Sequence, residues 1–470
     1  MSKIKKNFVL NGLEVVDIST EGKAIAKHEG LVVFIDNAVP GDIVDVMMHR
    51  KKNSFAEGKV HQLITPSPFR SLPKCEHFGT CGGCKWQNFN YKKQLEFKQK
   101  YVFDAFTRIG KLNFPEVFPI IGNSKEYYYR NKLEFSFSNK KWLTNEQIKN
   151  EAEIKNKNGL GFHIPGLFDK ILDIENCYLQ DAPSNNIRNA IKNYAFENNL
   201  TFFDIRNKHN FLRTVTIRTT STNEVMVVVS VFEYLEKELF GLLEFLKNTF
   251  PQITSLQYVH NPKGNDTFLD LEVKTFSGKN FIVEQMEDLK FKISAKSFYQ
   301  TNSAQAYNLY KITREFAGLT GNEIVYDLYT GTGTIANFVA KKAKKVVGIE
   351  YVEAAIEDAK QNSLNNNIAN TYFIAGDMKN VLNNIFIAQH GKPDVIITDP
   401  PRSGMAPEVV EVILNSFSKK IVYVSCNPST QARDLALMQH QYKIIKTQPV
   451  DMFPQTAHVE NVVLLELITN

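Results

Sequence analysis

The pattern of apolar and polar positions changes character three times along the 470-residue chain. In residues 1–65, short β-branched runs (Leu13 to Ile18, Leu31 to Ile35, Ile43 to Met47) alternate with the turn-forming stretches Glu21-Gly22-Lys23, His28-Glu29-Gly30 and Val39-Pro40-Gly41-Asp42. Such spacing predicts a small all-β barrel, an architecture that often binds oligonucleotides on one face. Thr65-Pro66-Ser67-Pro68 through Leu72-Pro73 reads as a linker. Within Asn90 to Gly110, apolar Leu95, Phe97, Tyr101, Val102, Ala105 and Phe106 fit a helix whose basic positions are expected to be exposed. Residues 127–285 turn strand-rich, as in Lys132 to Ser138 and Val225 to Val231, with polar Asn145 to Asn158 as an exposed loop or short helix. From 288 onward strands alternate with helices, which predicts a doubly wound parallel sheet. Its strands are Ile324 to Leu328, Lys345 to Glu350, Asp394 to Thr398 and Ile421 to Ser425, closed by a hairpin of Tyr442 to Lys446 and Asn461 to Leu467. No internal repeat is present.

A single core rarely grows beyond ~250 to 300 residues, so several domains are expected. Hydrophobic content of 43% and charged content of 23% are those of an ordinary globular chain. No apolar run approaches the ~20 residues needed to cross a bilayer, and the N-terminus lacks the apolar core of a secretory signal, so a cytoplasmic protein without a membrane partner is expected. The net charge of +6 is mild. Its placement is more informative: Lys3/Lys5/Lys6, His49-Arg50-Lys51-Lys52, Lys92/Lys93/Lys98/Lys100 and Lys341/Lys342/Lys344/Lys345 are basic clusters. Aromatic Phe89, Tyr91, Phe97, Tyr101 and Phe103 lie among or beside them, a combination that suits nucleic acid, whose phosphates need cations and whose unpaired bases stack on rings.

Asp327-Leu328-Tyr329-Thr330-Gly331-Thr332-Gly333-Thr334 runs from a strand through a glycine turn into a helix, where the backbone can approach a ligand closely. By itself this fits a dinucleotide or S-adenosylmethionine. Glu350 at the end of the next strand can hold a ribose diol, and Asp377 after a third strand can meet an adenine amine. No phosphate-binding lysine follows the loop. Together these select S-adenosylmethionine. Asp399-Pro400-Pro401-Arg402 occupies the place where amino methyltransferases carry an aromatic after the prolines, and the arginine argues against N-methylation.

The five cysteines divide into two sets. Cys426, in Ser425-Cys426-Asn427-Pro428, follows an apolar strand that would deliver a thiol to the cofactor cleft. C5 of uracil is a poor nucleophile, so a thiolate must first add to C6 and a base must later remove the C5 proton. Cys426, Asp399 and Glu460 are the candidates. Cys75, Cys81, Cys84 and distant Cys177 form a C-x5-C-x2-C plus C set, in which four thiolates suit an iron-sulfur cluster or structural zinc; Gly79 and Gly82-Gly83 favour wrapping around a cluster.

Over nearly its whole length the chain resembles the RNA 5-methyluridine methyltransferase family, in particular the branch that acts on 23S ribosomal RNA. The N-terminal region is similar to a TRAM domain, and the four cysteines are similar in spacing to that family's [4Fe-4S] ligands. Ser297-Phe298-Tyr299-Gln300-Thr301-Asn302 is similar to its Phe-x-Gln-x-Asn cofactor segment. The resemblance implies an α/β fold with a Rossmann-like S-adenosylmethionine-dependent methyltransferase domain (91–112 and 288–470), an N-terminal OB-like TRAM barrel (1–65) and a central α+β iron-sulfur domain (74–90 and 113–287). The helix at 91–112 is thereby implied to pack on the methyltransferase domain. For the cofactor it implies Gln300, Tyr329, Gly331, Gly333, Thr334, Glu350, Asp377 and Asp399; for catalysis, Cys426 as nucleophile, Glu460 as base and Asp399 at the target base; for the cluster, Cys75, Cys81, Cys84 and Cys177. The activity implied is methyl transfer to a uridine C5 in 23S ribosomal RNA by a monomer. A transfer-RNA enzyme is the first rival, against which the barrel and cysteine set are taken to weigh, and a non-catalytic RNA-binding assembly factor is the second. Thr330 stands where the family often has cysteine, and Lys140 to Asn158 has no obvious counterpart.

Overall fold

The computed structural model describes residues 8–149 and 156–469, so the Lys3/Lys5/Lys6 cluster and residues 150–155 of the polar stretch lie outside the described residues. Five strands, β1 (Val9–Ile18), β2 (Ala24–His28), β3 (Leu31–Asp36), β4 (Ile43–Lys51) and β5 (Phe55–Thr65), close into a barrel in the order β1-β2-β3-β5-β4. Alternate residues Leu13, Val15, Ala24, Ala26, Val33, Ile35, Val44, Val46 and Met48 fill its interior. Gly58 lies where a Cβ would come within 2.5 Å of Val46, so only glycine lets β5 approach there. The Pro/Ser stretch after the barrel is not a loose linker. Buried Asp42 accepts from Val39 N (2.7 Å), Ser67 N (2.9 Å) and Arg70 Nε (2.7 Å), which ties that stretch to the barrel.

Helix α1 (Tyr91–Asp104) is capped by the Asn90 side chain, which accepts from Lys92 N, and continues as one widened turn, Ala105–Gly110. Its expected basic face is only partly exposed. Lys98 is buried, with its ammonium 2.5 Å from Asp451, so this cation is spent inside the protein and unavailable to a polyanion. Other cluster members are also engaged: Arg50 pairs with Glu57 (2.9 Å), and Lys341 pairs with Asp288.

The central region is a seven-stranded sheet of β6 (Lys132–Ser138), β7 (Gly159–Ile164), β8 (Leu167–Asp173), β9 (Leu212–Thr219), β10 (Val225–Val231), β11 (Ile253–His260) and β12 (Lys274–Gly278), ordered β12-β11-β10-β9-β6-β7-β8. A short helix α2 (Asn145–Lys149) begins the polar insertion. Helices α3 (Ser184–Glu197) and α4 (Glu236–Thr249) cover one face through Ile187, Ile191, Leu239, Leu242 and Leu246. Met226 and Val228 on the opposite face join the methyltransferase core, which is why β10 is apolar at nearly every position. The hairpin of β13 (Phe281–Met286) and β14 (Leu289–Ser294) spans the expected boundary at 287 and packs into the methyltransferase core through Ile282, Phe291 and Ile293.

The C-terminal sheet contains β15 (Ile324–Leu328), β16 (Lys345–Glu350), β17 (Thr371–Ala375), β18 (Val395–Thr398), β19 (Lys420–Ser425), β20 (Tyr442–Val450) and β21 (Glu460–Leu467), ordered β17-β16-β15-β18-β19-β21-β20. The first five are parallel and β21 runs antiparallel to β19. Helices α5 (Ser303–Ala317), α6 (Thr334–Ala340), α7 (Glu353–Asn365), α8 (Met378–Val381), α9 (Asn384–His390), α10 (Pro407–Ser416) and α11 (Pro428–Met438) flank it. Successive strand residues face opposite cores: Val325, Val346 and Ile397 on one side, Tyr326, Val347 and Ile396 on the other. Val102, Ala105 and Phe106 of the α1 segment join this second core. Among the described residues no helix is long and apolar enough to cross a membrane.

Candidate active site

In a doubly wound sheet the strand order reverses beside the first strand, and the loops at the carboxyl ends part there to leave a crevice. Here β15 lies between β16 and β18, so the loops after β15, β16, β17, β18 and β19 border the crevice. Those loops begin with Tyr329, the end of β16 with Glu350, and the segments after β17, β18 and β19 with Asp377, Asp399 and Cys426. Glu460 reaches the same end by a different route. Antiparallel pairing sets Asn461 opposite Ser425, which brings the start of β21 beside the end of β19.

Tyr329, Gly331 and Gly333 have φ of +64°, +54° and +73°, a left-handed series that turns the chain from β15 into α6. A Cβ on Gly333 would meet Ala359 at 2.8 Å, so this glycine serves packing, whereas a Cβ on Gly331 would project into open space. Gly331 N donates to Glu350 Oε2 (3.2 Å) and Val352 N to Oε1 (3.0 Å), fixing the carboxylate at the strand end. Thr330 Oγ1 donates to Asp327 Oδ2 (2.5 Å). Burial, opposed by that hydrogen bond, holds the Asp327 carboxyl up to about 7. Thr332 Oγ1 donates to Phe298 O (3.4 Å) and sits 3.4 Å from Thr334 Oγ1, joining the glycine loop to the 297–302 segment. In that segment Asn302 caps α5 by accepting from Gln305 N, Phe298 is exposed, and Gln300 is half-buried with its carbonyl held by Asn131. Asp377 caps α8 through Lys379 N (3.1 Å). Tyr329 lies in the field of Asp434, Asp377 and Glu350, which places the ends of β15, β16 and β17 around one side of the crevice.

Cys426 sits between the last residue of β19 and a capped helix. Asn427 Oδ1 accepts from Ser429 N (3.1 Å) and Tyr101 Oη (3.1 Å), and its amide donates to Arg402 O (3.0 Å). Pro428, lacking an N–H, occupies the first helical turn. Burial, then the charges of Glu460 and Asp399, push the Cys426 thiol up to about 12, opposed by the Arg402 guanidinium. Burial and Asp399 raise Glu460 to about 8, again opposed by Arg402. Burial and Asp327 raise Asp399 to about 7. Thiol, two carboxyls and guanidinium therefore share one electrostatic neighbourhood. Arg402, read in the sequence only as a departure from an aromatic motif, is the cation of this group. The signal that could have found it is its place three residues after the β18 carboxylate.

Cys75, Cys81, Cys84 and Cys177 line a single cavity of about 150 Å³ with Gln87, Arg130 and Phe162. All five cysteines are free of disulfides. Burial raises each of the four thiols, Cys81 to about 11 and Cys84 to about 12. The expected metal geometry is not reproduced: among the described residues no trio of His, Cys, Asp or Glu is arranged to hold a metal ion.

Comparison with known proteins adds three findings. Residues 204–468 match the family described as tRNA (Uracil-5-)-methyltransferase, and residues 13–61 match the TRAM domain. An uncharacterized RNA methyltransferase of Bacteroides thetaiotaomicron is 58% identical over 96% of this chain and 100% of its own length; one of Porphyromonas gingivalis is 54% identical over 96% and 99%. The crystal structure of the Pyrococcus abyssi tRNA (uracil-54, C5)-methyltransferase with S-adenosyl-L-homocysteine superposes with a TM-score of 0.74 at 28% identity, covering 97% of this chain and 100% of that one. A transfer-RNA enzyme thus matches almost the entire chain, N-terminal region included, which removes the presence of an N-terminal barrel as an argument against a transfer-RNA substrate. Family match, near-complete relatives and a full-length structural counterpart together establish that the chain belongs to the RNA uracil-5-methyltransferase family.

Proposed function

We propose that the protein methylates C5 of a uridine in 23S ribosomal RNA, with S-adenosylmethionine as methyl donor and Cys426 as covalent nucleophile. The observation that carries the C5 chemistry of this reading is the shared neighbourhood of Cys426, Asp399, Glu460 and Arg402 beside the glycine loop; the choice of ribosomal RNA rests on the resemblance of the sequence. A paired base cannot present C6 to a thiol, so the target uridine must leave its stack to enter. The donor supplies an electrophilic methyl on its sulfonium; Gln300, Tyr329, Gly331, Gly333, Thr334, Glu350, Asp377 and Asp399 are assigned to hold it. Cys426 gives its proton to water, and its thiolate, whose charge the Arg402 guanidinium favours, bonds to C6. Electron density moves to C5 and O4, and Asp399 is assigned to the N3–O4 edge of the base. C5 bonds the methyl carbon as the sulfonium C–S bond breaks. Glu460 then takes the C5 proton, the C5=C6 bond reforms, and the Cys426 thiolate leaves.

Ribosomal RNA carrying tritium at uridine C5 tests this directly. Release of tritium to water that depends on the donor and on Cys426 supports the assignment, while release from transfer RNA alone moves the substrate to the reading favoured by the Pyrococcus relative. No release from either sinks the catalytic reading. The pH profile is a second test. Glu460 acts only when ionised, and burial holds it up to about 8. Below that value the rate at which preformed methylated adduct resolves, read as tritium release, should rise about tenfold per pH unit and then level as Glu460 ionises. A profile flat between pH 6 and 8 would remove Glu460 as the base.

The four thiols line one cavity, and a [4Fe-4S] cluster on Cys75, Cys81, Cys84 and Cys177 is the proposal for it; its contribution is to order the central region, since methyl transfer needs no electron. Anaerobically purified protein should contain iron and acid-labile sulfide, both lost in Cys84→Ser. Stoichiometric zinc without sulfide would replace this assignment.

A further inference from the structure

Glu460 is the assigned base, yet no hydrogen bond holds its carboxyl among the described residues. What fixes it is the backbone. Glu460 pairs with Val450 across the β20–β21 ladder, and residues 451–459 form the loop that joins those strands, so the loop sets both ends of the pair.

Five separate parts of the chain grip the first half of that loop. From α1, Lys98 Nζ donates to Asp451 Oδ1 (2.5 Å) and Phe453 O (3.0 Å), and Tyr91 Oη to Asp451 Oδ2 (2.7 Å). From α5 and its cap, Gln305 Nε2 donates to Asp451 O (2.8 Å) and Asn302 Nδ2 to Met452 O (2.8 Å). Ile121 O accepts from Asp451 N (2.9 Å). Tyr129 Oη donates to Pro454 O (2.9 Å). Directly after Cys84, the backbone N–H groups of Lys85 and Trp86 donate to Gln455 O (2.9 and 3.1 Å). Gln455 is buried at φ +66°, a conformation that L side chains avoid, and Gln94 holds it by two reciprocal amide hydrogen bonds (2.9 and 3.0 Å). Lys98 and Asp451 are both fully buried. Breaking such a pair by removing one partner strands a buried charge, so displacing Asp451 from Lys98 is costly.

We infer that Lys98, Asp451, Tyr91 and the Gln94–Gln455 pair are positioning residues for Glu460, holding the 451–459 loop so that the base meets the C5 proton after methyl transfer. The inference rests on the assignment of Glu460 as base. It has a specific kinetic signature, because the base acts only in the last step. Addition of Cys426 and methyl transfer precede it and use groups on other strands. A displaced loop slows resolution of the covalent adduct without slowing its formation.

The test compares Asp451→Asn, Tyr91→Phe and the paired Lys98→Met/Asp451→Leu, which removes both charges together and so avoids a stranded one. Single-turnover methyl transfer, C5 tritium release and RNA-linked protein surviving denaturant are measured for each, with Glu460→Gln as reference. Asp451→Asn and the paired variant are expected to keep methyl transfer within about threefold, slow tritium release at least about tenfold and accumulate the adduct. Tyr91→Phe, which keeps the ion pair, is expected to show the same pattern at about threefold. If Glu460→Gln accumulates adduct while these variants slow both steps equally, or change neither, the positioning role is overturned. If Glu460→Gln itself accumulates none, the base assignment is what fails.

Discussion

Cys426→Ala is expected to lower turnover about ten-thousand-fold or more, with RNA affinity unchanged within about threefold, because the reaction loses its only means of activating C5. No second thiol can substitute: the other four cysteines line a separate cavity in the central region. The variant removes one sulfur atom from a half-buried site and leaves untouched the elements that hold it. Asn427 still caps α11, and Tyr101 still donates to Asn427. Loss of activity should therefore come without loss of fold or of donor binding. Tritium release, a filter-binding titration and equilibrium binding of S-adenosylhomocysteine measure the three quantities. Residual turnover within about a hundredfold of the parent would mean that the thiol is not the nucleophile.

Glu460→Gln should have the second largest effect, lowering steady-state turnover about a thousandfold, within the range of a lost general base. The amide keeps the volume and cannot accept the C5 proton, so methylated RNA should remain attached to Cys426 and appear as a denaturant-stable complex. A second consequence separates this from a packing defect. The Glu460 carboxylate is one of the charges that raise the Cys426 thiol, after burial itself. Removing it lowers the thiol from about 12, and alkylation of Cys426 by iodoacetamide at fixed pH should become faster than in the parent. Slower alkylation would show that the two groups are not electrostatic neighbours. The two variants thus divide the proposed reaction at its covalent intermediate: one prevents the adduct, the other traps it.

Much of this site was legible in one dimension because its parts sit at strand ends. In a parallel sheet every strand delivers its carboxyl end to the same edge, so Tyr329, Glu350, Asp377, Asp399 and Cys426 converge whatever the details of packing. The alternation of apolar runs with glycine loops was enough to locate those ends. Strands β2 and β5 of the barrel were missed for a related reason. β2 is only five residues between two turns, and the second half of β5 is exposed, so neither shows an apolar face along its full length.

The sequence alone determined the doubly wound domain, the barrel, the glycine loop and the division of cysteines, because each depends on residues close together in the chain or on a periodicity that local backbone geometry imposes. Only the tertiary structure decided which charges are surface and which are structural. Lys98 belongs to a run of lysines that reads as a basic face, yet it finds Asp451 353 residues away and is buried with it. The same holds for Arg402, whose guanidinium acquires meaning only from the thiol and carboxyl that other strands bring to it. Burial and pairing are properties of a closed three-dimensional surface, and a charge carries no mark in the sequence of the partner that folding will give it.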